Sequence, residues 1–432
     1  MFQTIRNALA VPETRKKLLY TLLIIIIFRI GSAIPVPFLD PTALKEMIQS
    51  GSGGDFLGYL DIMTGGSFSS ATLFAMSITP YINASIIIQL LTVAIPPLER
   101  LAKEGDVGRK KLARITRFTT FALALLQAVA YYFLARNSGT ISDTYMAGKT
   151  GFFVACVIVV TFVAGTAIIV WLGERINEKG IGNGISIILF AGIISRGPSM
   201  INTGIKYLQM GNPLYYVLVP LVVVIFVLII GFIVLMTNAE RRIPIQYAKR
   251  VVGRKMYGGQ SSHIPIKVSM NGVMPIIFAS SFVSIPGTIA AFIQPAEGSF
   301  WANFLGIFNY NSMFYGIIYF LLIIGFNYFY VAITYNPIEI SNNLRKNNGA
   351  IPGIRPGKPT SDFISKVISK ITFVGALFLG IIAIFPILFT NLSGVNIAIG
   401  GTSILIVVGV ALETMRTLES QIMMRHHKGF LE

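Results

Sequence analysis

Asp55–Ile95 reads DFLGYLDIMTGGSFSSATLFAMSITPYINASIIIQLLTVAI, and two unlike pieces meet in it. From Ala71 to Ile95 no residue is charged, and the run exceeds the roughly 20 apolar residues that a bilayer-crossing helix needs. Before it, Asp55–Ser70 is amphipathic, too short to cross, and interrupted by Gly65-Gly66. A short half-helix joined through a glycine pair to a full helix is the pattern of a re-entrant or cavity-seated segment, because irregular backbone at membrane depth survives only inside protein or water-filled space. A helix lying flat in the outer interface fits the same residues. Pro80 removes a helix hydrogen bond and Asn83 needs a partner, so this crossing is expected to face other helices rather than lipid.

Moving outward, similar apolar stretches begin near Leu18, Ser70, Ile115, Phe152, Gly184, Leu214, Met270, Ser312, Ile371 and Asn396. With 54% hydrophobic and 12% charged residues over 432 positions, the chain cannot form a soluble globule without large apolar exposure. The gaps between the stretches alternate in charge. Alternate segments hold 29 of the 35 Lys and Arg, among them Arg15-Lys16-Lys17 and the clusters at 100–117, 241–267 and 345–370. Basic loops stay on the cytoplasmic side, so the pattern predicts an all-α polytopic membrane protein with ten crossings and both termini in the cytoplasm. The first stretch resembles a secretory signal, but Ile34-Pro35-Val36-Pro37 offers no cleavage pattern and further crossings follow, so it reads as a retained span. Arg29 inside it is expected to reach an interface or face protein. Cys156, the single cysteine, can form no internal disulfide and reads as a packing residue.

Other crossings carry polarity. Gln127 sits mid-way along the third; the fifth has a glycine-rich start and little more than a dozen apolar residues; the seventh combines Pro275 and Pro286 with Asn271, Ser280, Ser281 and Ser284. Such helices border water, a cavity or a movable seam. Five crossings per half give the halves opposite orientation, as in inverted-repeat membrane proteins. The net charge of +17 is explained in part by orientation and by anionic headgroups, but the loops at 238–267 and 336–370 are longer than turns require. They read either as solvated charge or as docking surfaces for an acidic or nucleic-acid partner.

Catalytic constellations do not appear. There is no HExxH and no GxSxG, no pair of aspartates lies inside the crossings, and His263, His426 and His427 lack further ligands of metal-site spacing. Gly353–Thr360 departs from a phosphate loop by one missing residue between its glycines and by Pro359, which has no N–H. The crossings are nearly free of buried carboxylates, which argues against proton coupling. No cofactor is expected. A solute transporter with inverted repeats and a pore-less membrane scaffold or insertase stand beside a channel as readings of these features.

ITPYINASIIIQLLT (78–92), GERINEKGIGNGISIILFAGI (173–193), RRIPIQYAKR (241–250) and GIRPGKPT (353–360) together resemble the SecY family, the central subunit of the bacterial protein-conducting channel, in order along the whole chain. The resemblance implies ten transmembrane helices in two pseudo-symmetric inverted five-helix halves around a central pore. The cytoplasmic segment 1–17 would lead into a half at 18–203 with a plug at 56–69. A second half at 204–417 would carry cytoplasmic loops 238–269 and 336–370, before a cytoplasmic tail at 418–432. It implies a non-enzymatic channel that passes unfolded secretory polypeptides across the cytoplasmic membrane and releases hydrophobic segments sideways into lipid.

Residue by residue, the resemblance implies a pore ring of Ile82, Ile86, Ile185, Leu189, Ile277 and Ile406. It implies a plug including Phe56, Leu57, Leu60, Ile62, Met63, Gly65, Gly66 and Phe68, and a lateral gate with Ser85, Gln89, Gln127, Asn271 and Ser281. Lys249, Arg250, Arg254, Arg355 and Lys358 would dock a motor or ribosome. Aliphatic side chains suit a narrow neck, since they resist ion leakage by dewetting and form no fixed hydrogen bonds with a passing chain. The implied partners are SecE and SecG companion subunits, the SecA motor ATPase, the ribosome, precursors with signal sequences, and membrane lipid.

Overall fold

The computed structural model describes residues 6, 8–49, 61, 64–141, 148–211, 213–247, 250–252, 255–257, 261–293, 300, 312–393 and 401–428. In chain order the helices are α1 (Pro12–Gly31), α2 (Pro41–Gln49), α3 (Thr79–Ala94), α4 (Pro96–Lys103), α5 (Asp106–Asn137), α6 (Gly148–Lys179), α7 (Gly184–Ile194), α8 (Gly197–Gln209) and α9 (Pro213–Asn238). Four strands follow, β1 (Glu240–Tyr247), β2 (Arg250–Val252), β3 (Lys255–Tyr257) and β4 (Ser261–Lys267). Then come α10 (Met274–Ile293), α11 (Met313–Thr334), α12 (Pro337–Lys346), β5 (Gly349–Ala350), α13 (Lys358–Ser393) and α14 (Gly401–Lys428).

Ten of these helices, α1, α3, α5, α6, α7, α9, α10, α11, α13 and α14, overlie the ten expected stretches. Among the described residues, six segments are by themselves long and apolar enough to cross a membrane: α5, α6, α7 with α8, α9, α11 with α12, and α13; the bent pair α3 with α4 would make a seventh. The chain groups into two compact units, Met1–Val219 with Ser281–Tyr315 and Asn396–Glu432, and Pro220–Ser280 with Gly316–Val395.

In the first unit the second crossing departs from its expected form. The helix begins only at Thr79, because residues 64–78 form buried turns instead. Their backbone groups bond largely within the turns, as from the Ser77 N–H to the Phe74 carbonyl at 2.8 Å, and partly to the loop after α1: the Val36 N–H donates to the Ala71 carbonyl at 3.0 Å and the Leu73 N–H to the Ile34 carbonyl at 2.9 Å. Buried backbone must find partners, and here it finds them in the turns themselves and in a neighbouring extended stretch rather than along a helix. Ala71 and Ser77 take positive φ of 46° and 48°, which L-residues adopt only when the surroundings hold them there. Apolar composition alone read this stretch as helix.

Close backbone approaches fix the packing around the turns. A Cβ on Gly165 of α6 would lie 2.0 Å from the Leu73 carbonyl oxygen, so α6 passes directly against the turn. Phe74 fills the space that a side chain at Gly31 would occupy and stacks on Phe28 with 5.6 Å between ring centroids. Ala124, Ala128 and Ala135 of α5 are wholly buried, small residues that let helices approach. Around them Phe68, Tyr131, Ile158 and Phe162 form one apolar cluster. Pro96, at the first position of α4, lacks the N–H a continuing helix would need, and α4 leaves α3 at 102°. Arg29, near the end of α1, is half-buried with its Nη1 atom enclosed, and that nitrogen has no hydrogen-bond partner among the described residues.

In the second unit the two long basic loops join in one sheet. β1 pairs antiparallel with β4, Ile243 opposite Ile264 and Arg242 opposite Pro265, and antiparallel with β5 through Gln246 and Ala350. The strand order is β4-β1-β5. Alternation along β1 buries Ile243 and Ile245 against Leu344 of α12 and Ile364 and Ile368 of α13, so the sheet sits on helices of its own unit. β2 and β3 form a separate two-stranded hairpin.

Candidate functional site

The aliphatic positions expected at the neck fall on four helices. Ile82 and Ile86 are one turn apart on α3, which places them on one face; Ile86 is buried and Ile82 half-buried. Ile185 and Leu189 repeat that spacing on α7, again half-buried and buried. Ile406, 3% exposed, lies on α14, which packs on α7. These five belong to the first unit, whereas Ile277 is a half-buried residue of α10 in the second.

The position of α7 is determined by its first turn. Asn183 caps it, its side-chain oxygen accepting the Ile185 and Ser186 N–H groups at 3.1 and 3.5 Å, while the Asn177 side chain of α6 accepts the Gly184 N–H at 2.8 Å. Gly182 turns the chain with φ +75°, and a Cβ on Gly184 would fall 2.0 Å from the Gly173 carbonyl oxygen. The glycine-rich start is thus a close contact of α7 on α6, with Ile185 and Leu189 set by it.

Of the plug residues, Phe56, Leu57, Leu60, Ile62 and Met63 lie outside the described residues. Gly65 and Gly66 both take positive φ, 69° and 87°. Phe68 is buried edge-on to Tyr131, ring centroids 5.0 Å apart, and Tyr131 donates its hydroxyl to the Phe68 carbonyl at 2.8 Å. The same stretch holds a feature that sequence reading missed. Asp61, with a side chain only 5% exposed, pairs with Arg196 at 2.8 Å just beyond the end of α7. Its other carboxylate oxygen accepts the Ser69 N–H at 2.8 Å.

The polar residues expected at the seam are distributed over both units. Ser85, half-buried, and Gln89, exposed, lie on α3, and half-buried Gln127 lies on α5, which packs along α3. Asn271, just before α10, donates to the Asn327 carbonyl at 3.4 Å, and Asn327 donates onward to the Thr372 carbonyl at 3.0 Å. Asn271 therefore opens a polar chain from α10 through α11 to α13. Ser281 is half-buried on α10. Arg117 of α5 and Glu174 of α6 form an unanticipated ion pair at 2.9 Å.

On the long basic loops Arg355 and Lys358 are exposed. The loop carrying them is pinned by its backbone: Thr360 donates its hydroxyl to the Arg355 carbonyl at 2.8 Å and Ser341 donates to the Gly357 carbonyl at 2.9 Å. Arg355 thus presents an exposed guanidinium on a held main chain, next to the sheet that joins the two loops. Arg250 opens β2, while Lys249 and Arg254 lie outside the described residues. At the α4 elbow, the hydrogen bond from Lys103 holds the exposed Glu99 carboxyl below its ordinary range. Among the described residues no group of three His, Cys, Asp or Glu could hold a metal ion.

Comparison with known proteins agrees with this arrangement. A family model described as SecY matches residues 72–415. The protein translocase subunit SecY of Streptomyces coelicolor is 42% identical over 440 residues, covering 100% of both chains. A solved protein-conducting channel superposes with a TM-score of 0.63 at 18% identity, covering 94% of this chain and 92% of its own. The Sec61 channel of a canine ribosome-channel complex from the endoplasmic reticulum does so at 0.59 and 18%, with the same coverage. The helical order, the capped and glycine-packed α7, the joined basic loops, a family model over most of the chain and a relative matched end to end all lead to one conclusion: the chain belongs to the SecY family.

Proposed function

We propose that this multi-pass membrane protein is the channel through which unfolded secretory polypeptides cross a bacterial cytoplasmic membrane, and from which hydrophobic segments pass sideways into lipid. The family is one of translocation channels rather than enzymes, so the push comes from outside, from the SecA motor ATPase or a translating ribosome. The observation that carries the reading is the aliphatic set Ile82, Ile86, Ile185, Leu189 and Ile406, which three helices of one compact unit supply. Ile277 completes the ring. Branched hydrocarbon at a narrow neck keeps ions out by dewetting and yields to any side chain that threads through.

The plug closes the outer funnel while the channel is idle, with Phe68 and the glycine pair in its turn. The basic face of the β4-β1-β5 sheet, with Arg355, Lys358 and the hairpin that follows Lys249, lies in the cytoplasm together with both termini. It receives the motor or the ribosome, whose RNA offers complementary charge. SecE and SecG complete the complex. Ser85, Gln89, Gln127, Asn271 and Ser281 border the seam that opens toward lipid.

The test places single cysteines at Ile82 and Ile277 in a variant lacking Cys156 and stalls a secretory precursor part-way through export by the full complex. Both positions are expected to crosslink to the precursor, and a cysteine at exposed Phe152 is not. A precursor that is exported yet reaches neither Ile82 nor Ile277 would overturn the reading.

A further inference from the structure

We propose that Asp61 and Arg196 form an ionic latch that sets how good a signal segment must be before the channel admits it. The inference rests on the chain being a channel closed by the segment ahead of its second crossing. The pair joins two parts of the first unit that lie far apart in sequence: the turn leading into α3 and the break between α7 and α8. Asp61 is 5% exposed and Arg196 28%, at an Oδ2–Nη1 distance of 2.8 Å.

The bonding divides cleanly between what moves with the segment and what holds it. Asp61 accepts the Ser69 N–H on Oδ1 at 2.8 Å, and its carbonyl accepts the Gly66 N–H at 2.9 Å and the Thr64 hydroxyl at 3.2 Å. All three bonds belong to the segment's own turn and travel with it. The Arg196 pair instead ties that turn to the break between α7 and α8. Gly65 brings the backbones together at the same place, since a Cβ there would fall 2.5 Å from the Gly192 carbonyl oxygen and 2.9 Å from the Ser195 hydroxyl.

A largely buried, hydrogen-bonded ion pair gives little net stability over apolar packing but penalises separation of its partners, because each charge is then stranded. That property suits an element with a closed and a displaced position better than it suits a static core. The latch adds a fixed opening cost which the binding of a signal segment to the channel must supply, and the pair therefore acts as a specificity determinant for the transported chain.

The test is a double-substitution cycle in the full channel complex. Asp61→Asn keeps an oxygen for the Ser69 N–H while removing the charge, and Arg196→Gln removes the other partner. Export is measured for two precursors, one with an intact signal and one whose signal core has been shortened. Each single variant is expected to raise export of the shortened-signal precursor about tenfold, one decade corresponding to about 1.4 kcal/mol, with intact-signal export unchanged. The double variant is expected to do no more than either single one, because both remove the same interaction. Single variants that leave shortened-signal export at the parent level overturn the latch. So do variants that depress both precursors together, or effects that add. Failure of the parent complex to export the intact-signal precursor would instead count against the channel reading itself.

Discussion

At the scale of single residues, the start of α7 shows what a sequence can and cannot disclose. The run Gly180-Ile-Gly-Asn-Gly184 is visibly glycine-rich, but the reason for Gly184 is the Gly173 carbonyl of α6, 2.0 Å from where its Cβ would be. Replacing Gly184 with alanine forces α7 off α6, and overpacking of this kind costs about 1–3 kcal/mol. Asn183→Ala removes the cap and costs about 1 kcal/mol. Both variants are expected to lower the melting temperature of the purified complex, Gly184→Ala by more; an unchanged melting temperature in both would mean that α7 is held by other contacts. Asp61 was legible only as a charge in an amphipathic piece, because Arg196 lies on the far side of five helices in sequence and no local period connects them. Ile82 and Ile86 were readable as one helical face, yet their chemistry is that of ordinary packing, and only the family resemblance distinguished them from it.

At the scale of elements, two outcomes contrast. The loops at 238–269 and 336–370 were read as long and basic, and the sheet joining them was not foreseen. The signal was present in the repeated Ile-Pro-Ile of 243–245 and 264–266, whose period of two is a strand pattern. The prolines obscured it, since proline belongs on edges. β1 is central in strand order, yet β5 reaches only Gln246 and Tyr247, which leaves the Pro244 end of β1 unpaired on that side. The first part of the second crossing shows the reverse, apolar enough for a helix but built as turns that bond internally and to the loop after α1. Two predictions belong here. Ile245→Asp buries a carboxylate under the sheet at a cost of several kcal/mol, and limited proteolysis should then cut both loops while the far-ultraviolet signal of the helices persists; loops that resist cleavage would show the sheet tolerates the charge. Arg355→Glu alters only an exposed side chain, because the loop is held through the Arg355 carbonyl. It is expected to assemble normally and to block motor-driven export, and normal export would remove Arg355 from the docking face.

At the scale of the whole molecule, the alternation of Lys and Arg was the most legible property, because orientation is set by charge summed over loops rather than by any contact. The threshold for releasing a segment into lipid is the property least visible in sequence, since it is a difference between two states of the seam. Burying a CH₂ away from water is worth about 0.8 kcal/mol, so an apolar segment leaves the channel once its preference for lipid exceeds the cost of parting the seam. On the proposed assignment of Gln127 and Asn271 to the seam, the two would contribute to that cost in different ways. Gln127 is half-buried on α5, and parting the seam turns its amide toward hydrocarbon. Asn271 gives up its bond to the Asn327 carbonyl if α10 moves against α11. Interhelical polar bonds in membranes are worth about 0.6 kcal/mol on average, and each leucine in a crossing segment contributes about 0.5 kcal/mol. Replacing either residue with leucine should therefore lower the required hydrophobicity by about one or two leucines. The measurement is a series of test segments graded in leucine content, scored for membrane insertion against export in cells carrying each variant. A midpoint that shifts toward fewer leucines places these side chains at the seam; a midpoint identical to the parent's would show that the seam opens without disturbing them.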